Sequence, residues 1–139
     1  MSQLNCELLD PIMHPLINKF YQQHKVRGRA KSHDDVWVIK IEKQIVATAK
    51  VSPKQGHLLL TGVFTLPAYR SQRLASHLIA HLHSFYSQPI FTFAYSHLVT
   101  WYNRNKFKSV EPPTALAMLF QAYIRQGRDI QCMVSHQES

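Results

Sequence analysis

Apolar residues along this chain change their spacing several times. From Asp10-Pro11 onward, Ile12, Leu16, Ile17 and Phe20 recur at helical intervals. That spacing predicts an amphipathic helix over DPIMHPLINKFYQQHK, ending near the basic, glycine-bearing KVRGRAKSHDD. The runs VWVIKIE (36–42) and QIVATAKVS (44–52) are rich in β-branched residues and break around Lys43, which predicts an antiparallel pair of strands. Pro53 to Gly56 mark another turn before a third strand, HLLLTGVFTL. At Ser71 the helical period returns: Leu74, Leu78, Leu82 and Phe85 form a stripe thickened by Ala75 and Ile79, and Ser87-Gln88-Pro89 stops it. IFTFAY (90–95) reads as a buried strand, SHLVTWYNRNKF as a short helix capped by Ser96, and FKSVEPP as a strand leaving it. A helix from Thr114 to about Arg125 closes at Gly127, and DIQCMVS is a last strand. This order of elements predicts an α/β (α+β) sheet protein centred on residues 57–95.

Length and charge narrow the picture. A chain of 139 residues is of single-domain size, so one domain over 1–139 is expected. No run of apolar residues is long enough for a membrane span, and MSQLNCELLD carries acids where a signal peptide needs basic charge, so a cytoplasmic protein without membrane contact is expected. Cys6 and Cys132 lie far apart without zinc-type spacing and read as two reduced thiols. Sixteen Lys and Arg against eight Asp and Glu give a net charge of +8, which favours anionic partners such as phosphorylated cofactors, nucleic acid or acidic surfaces. The acids are few, Glu138 among them, which limits the choice of a carboxylate base.

The junction VFTLPAYRSQRLASHLI (63–79) concentrates chemistry. The first N–H groups of a helix starting at 71 have no intrahelical partner and the macrodipole adds positive character, a setting that binds phosphate. Arg70 precedes that start, Arg73 stands in its first turn, and Ser71, Ala75 and Ser76 are small. Pro67 ends the preceding strand's donor ladder. The stretch resembles motif A of the GNAT superfamily of acetyl-CoA-dependent N-acyltransferases, a strand ending in V-x-P followed by R/Q-x-x-G-x-G/A. Pro67, Arg70 and Ala75 match it; Thr65 replaces a valine and Arg73 replaces the first glycine. An arginine there either crowds a pyrophosphate or brings its guanidinium onto it. Downstream, WYNRNKFKSV (101–110) is similar to the family's aromatic-Tyr-x-x-x-Gly-Phe motif, with Tyr102 and Phe107 matching and Lys106 replacing the glycine.

The resemblance implies a mixed, mostly antiparallel sheet of six to seven strands flanked by helices, with splayed fourth and fifth strands. It implies that backbone groups of Val63, Phe64 and Thr65 pair with pantetheine, and that Arg70, Ser71, Gln72, Arg73, Leu74, Ala75 and Ser76 surround the pyrophosphate. It further implies direct attack of a primary amine, from a small molecule or a protein, on acetyl-CoA in a ternary complex, with Tyr102 as general acid to the departing thiolate. Gly62 fits a bulge beside the pantetheine, and Tyr95 is placed to line the opening. The usual glutamate base has no counterpart, leaving a water relay, His57 or Glu111 open.

Other readings stand beside this one: a degenerate acyl-CoA-binding domain, a basic nucleic-acid-binding module, or a transferase of longer acyl groups. His77 and His81 are four apart, but Leu78 occupies the glutamate position of a zinc motif, so a solvated face and no metal are expected. The basic run HKVRGRAK lacks interleaved aromatics, a weak nucleic-acid signal, and by the resemblance borders the acceptor site, where it would favour an acidic acceptor. Leu119, Tyr123 and Ile124 of the last helix read as core or homodimer contacts rather than as an active-site lid.

Overall fold

Alternation along β2 (Asp35–Ile41) divides the interior into two cores. Successive side chains of a strand point to opposite faces. Trp37 and Ile39 join a large apolar cluster on one face, and Val36 and Val38 join a smaller one with Ile17 and Tyr21 on the other. The computed structural model describes residues 5–136; Glu138 lies outside them. The remaining strands are β1 (Cys6–Leu8), β3 (Gln44–Lys54), β4 (His57–Thr65), β5 (Ile90–Tyr95), β6 (Phe107–Ser109) and β7 (Ile130–Ser135). They form one seven-stranded sheet in the order β1-β2-β3-β4-β5-β7-β6. Among the described residues β4 and β5 are the parallel pair and every other neighbouring pair is antiparallel.

The helices are α1 (His14–Gln23), α2 (Leu74–Phe85), α3 (Val99–Arg104) and α4 (Thr114–Arg125). The crossover from β4 to β5 runs through α2, which lays Leu74, Leu78, Ile79 and Leu82, each at most 2% exposed, on the larger core. Phe85 ends that stripe half in water, with its ring edge-on to Trp37 at 4.7 Å. Beyond it, Tyr86 donates to the Asp35 carboxylate and accepts from Trp37 Nε1 at 3.0 Å, tying the end of α2 to β2.

Three local expectations change. The N-terminal helical segment opens with a 3-10 turn, Pro11–Met13, capped by Asp10, whose Oδ1 accepts from Ile12 N at 3.1 Å. The α-helix starts only at His14 and its inward stripe is His14, Ile17 and Tyr21, leaving Ile12 78% and Leu16 55% exposed. A buried histidine holds this phase because His14 Nδ1 bonds the Lys31 carbonyl at 3.0 Å. Ser96 opens a 3-10 turn, Ser96–Leu98, instead of capping a helix, and its hydroxyl donates to Asp129 Oδ1 at 2.7 Å. The helix expected at Ser71 begins at Leu74, for a backbone reason given below.

Among the described residues no helix is long and apolar enough to cross a membrane. Leu78 is fully buried where α2 meets the sheet. Its replacement, Leu78→Ala, is expected to destabilise the fold by about 2–5 kcal/mol, read as a lower urea midpoint with an unchanged slope.

Candidate active site

Parallel pairing of β4 with β5 lasts three residues: Leu58 with Ile90, Leu59 with Phe91 and Leu60 with Thr92. Both strands then continue, to Thr65 and Tyr95, without pairing each other. The reason lies on the other side of β4. Thr61 pairs with Lys50 and Phe64 with Thr48, so Gly62 and Val63 together oppose Ala49 as a bulge. Gly62 has φ +63, the left-handed region that glycine enters without cost. The bulge bends β4 away from β5, and the backbone of residues 62–65 on that edge is left without a strand partner.

A cavity of about 580 Å³ occupies the gap. Val63, Phe64, Tyr95 and Tyr102 line it, as do Thr61, Gly62 and Thr92. Tyr102 comes from α3 and is 7% exposed; burial pushes its phenol up to about 12. Its hydrogen-bonding neighbour is Thr92, whose own hydrogen goes to the Leu60 carbonyl at 3.0 Å. A phenol kept neutral by burial thus lines the gap.

Arg70 and residues 71–76 do not line this cavity. They form the turn at the end of β4. Arg70 Nε donates to the Thr65 carbonyl at 3.1 Å, holding the turn against the strand end, and its guanidinium lies 5.7 Å from the Phe64 ring. Ser71 (φ 72) and Arg73 (φ 59) are both left-handed, which prevents a helix at 71. With Arg73 as N-cap and no side chain capping it, α2 leaves the amides of Leu74, Ala75 and Ser76 without an intrahelical partner, and Arg70 and Arg73 precede them in the chain. The helix start lies three residues later than the sequence places it.

The base candidates are not at the gap. His57 opens β4 at its other end, edge-on to Phe91 at 5.2 Å, and Glu111 is exposed near Cys132. Neither thiol lines the cavity, and burial pushes Cys132 up to about 11. His77 is exposed, whereas His81 packs edge-on to Trp37 at 5.1 Å. No group of three metal-ligating side chains forms among the described residues.

The family model described as acetyltransferase (GNAT) domain matches residues 32–109, more than half of the sequence. The chain belongs to the GNAT acetyltransferase family. Solved structures agree in fold. ElaA of Escherichia coli superposes with a TM-score of 0.68 at 12% identity, over 95% of this chain and 99% of that one. Naa50 of Arabidopsis thaliana, solved with the bisubstrate analogue CoA-Ac-MVNAL, gives 0.70 at 11% identity over 98% and 100%. N-acetylglutamate synthase of Neisseria gonorrhoeae, complexed with coenzyme A and N-acetyl-glutamate, gives 0.67 at 12% over 98% of this chain, which spans only 36% of that protein. No curated protein sequence matches.

The two departures from the GNAT motifs share a backbone feature. Arg73 and Lys106 both stand where the family has glycine, and both have positive φ, 59 and 67. Positive φ is the region that glycine enters without cost, and this GNAT chain keeps the two turns with cations there.

Pattern reading missed the far wall. Lys50, 7% exposed, lies in the cavity lining beside Thr61, its partner across the β3–β4 ladder. The strand QIVATAKVS carried a signal: Thr48, Lys50 and Ser52 alternate with Ala47, Ala49 and Val51, a polar row on a strand buried on both faces. The final helix, read as core or dimer contact, instead contributes Tyr123 to the wall, edge-on to Phe93 at 5.9 Å, with Arg128 stacked 4.0 Å from its ring.

A left-handed non-glycine residue costs on the order of 1–3 kcal/mol, against about 0.5–1 kcal/mol for glycine's extra chain entropy. Strain wins. Arg73→Gly is expected to raise stability by up to about 1 kcal/mol and Arg73→Val, β-branched, to lower it by at least as much, compared by urea unfolding.

Proposed function

We propose that this GNAT chain transfers an acetyl group from acetyl-CoA to a primary amine by direct attack in a ternary complex. The observation that carries the reading is the gap between β4 and β5: an open strand edge at 62–65 beside a cavity lined by Val63, Phe64 and the buried phenol of Tyr102, which burial keeps neutral. The edge of Val63, Phe64 and Thr65 would pair with the pantetheine amides as another strand would. The pyrophosphate would rest on the amides of Leu74, Ala75 and Ser76, with Arg70, Ser71, Gln72 and Arg73 around it. Nothing in that turn is acidic.

In the reaction the amine nitrogen bonds to the thioester carbon and the carbon–sulfur bond breaks. The nitrogen loses a proton and the thiolate gains one. Tyr102 supplies the second proton: its buried phenol stays neutral at working pH and so carries a proton to give. The first leaves to water; Asp34, the carboxylate among the cavity-lining residues, accepts from Lys31 N at 2.8 Å.

Calorimetric titration of acetyl-CoA into the wild type should show saturable one-site binding that weakens as salt rises; no binding would sink the proposal. Tyr102→Phe is expected to leave that binding intact and to lower kcat by roughly 10²–10⁴-fold. An acid must hold its proton to act, and a phenol ionising at about 12 holds it where an ordinary one does not. The wild-type rate should therefore show no alkaline loss from Tyr102 until roughly pH 11, whereas a fall centred near an ordinary phenol value of about 10 would contradict the assignment.

A further inference from the structure

The far wall of the cavity is basic and already in place. Lys25, Arg27, Arg29 and Lys31, on the segment between α1 and β2, line it together with Lys50 and Arg128. The segment is held by side chains of the fold. Asn18 exchanges two hydrogen bonds with Ala30, at 2.7 and 3.1 Å, His14 holds the Lys31 carbonyl, and Lys50 Nζ donates to the Arg29 carbonyl at 2.8 Å. The single carboxylate against these cations is Asp34, which is buried and bonded to the backbone of the same segment.

Three polar groups of this wall have capacity to spare. A buried ammonium carries three donors, and Lys50 directs one to a neutral carbonyl, which leaves its charge without a counterion in contact. Lysines are seldom buried without a partner. Thr61 Oγ1 and Arg128 Nε are buried with no hydrogen-bond partner among the described residues. Parity explains how they share one space. Phe91, Phe93 and Tyr95 project from one face of β5 and Thr92 and Ala94 from the other. Phe93 meets Tyr123 and Phe120 of α4, while Ala94 joins the α2 core with Tyr102. The cavity thus passes through the sheet, with the phenol on one side and the cations on the other.

We infer that the wall formed by Lys50, Thr61, Arg128 and the 25–31 segment is an anion subsite, and that the acceptor is a small amine bearing a carboxylate or phosphate. The anion seats against Lys50 and directs the amine through the gap toward the thioester. A buried, pre-positioned ammonium gives a short charge-assisted bond to either anion. The choice of an amine rests on the acetyl-transfer reading; the anion subsite does not.

Calorimetry of the full chain with CoA present tests it, using L-glutamate, its dimethyl ester, phosphoethanolamine and ethanolamine as probes at low and high salt. At least one acid is expected to bind about tenfold or more tightly than its uncharged counterpart, with the preference shrinking as salt rises. Lys50→Met should bring the preference below about threefold and Lys50→Arg should keep most of it. Preference for phosphoethanolamine over glutamate would identify phosphate as the anion. Equal binding of acid and counterpart, tighter binding of the counterparts, or a preference unchanged in Lys50→Met would overturn the subsite. Should Lys50→Met not fold, Arg128→Met is read by the same criteria. Selective binding of an acid that is never acetylated would count against the transfer reading and leave the subsite standing.

Discussion

Everything at the centre of this protein depends on a parallel strand pair that ends early. A strand edge without a partner leaves N–H and C=O groups that must be satisfied by water or by a ligand. Here the cause is a one-residue bulge at Gly62–Val63, on the opposite edge of β4. Because β3 holds that strand to its end, pairing Ala47 with Thr65, the freed edge is rigid rather than frayed. A rigid, unsatisfied edge suits an extended, amide-bearing ligand, and it costs the fold little because only three pairs of a seven-stranded sheet are at stake.

The two halves of the gap differ in electrostatics. On the α2 side burial protects a neutral proton donor, and desolvation is what keeps Tyr102 protonated. On the α1 side the same desolvation acts on a cation, pushing Lys50 below its ordinary value. One group prefers to be neutral and is; the other is a basic group in surroundings that disfavour its charge, with Asp34 the principal influence in the opposite direction.

The architecture was legible because it is written in periodicity. The shift from alternation in VWVIKIE to the Leu74, Leu78, Leu82 stripe fixes strand and helix without tertiary information, and two degenerate motifs in the right order supply the family. What escaped were features set by backbone sign and by distance along the chain. A helix start at 71 looks sound until Ser71 and Arg73 enter the left-handed region, which composition does not announce for a serine or an arginine. The inward face of α1 is decided by a 3-10 turn and by a carbonyl seventeen residues away. Tyr123 and Arg128 reach the cavity only because β7 slots between β5 and β6, a topology no local window contains. Lys50 was the exception: its polar row was visible, but the cavity it meets was not.

The left-handed cations at Arg73 and Lys106 carry one more consequence. In a turn built on glycine, backbone conformation and surface charge are separate properties, and each can drift without disturbing the other. Here one side chain sets both. Substitution by glycine would relax the turn and discharge it in the same step, and substitution by most other residues would discharge it while leaving the strain. Local stability and local potential at the start of α2 are therefore a single trait, and the sequences open to this turn are correspondingly few.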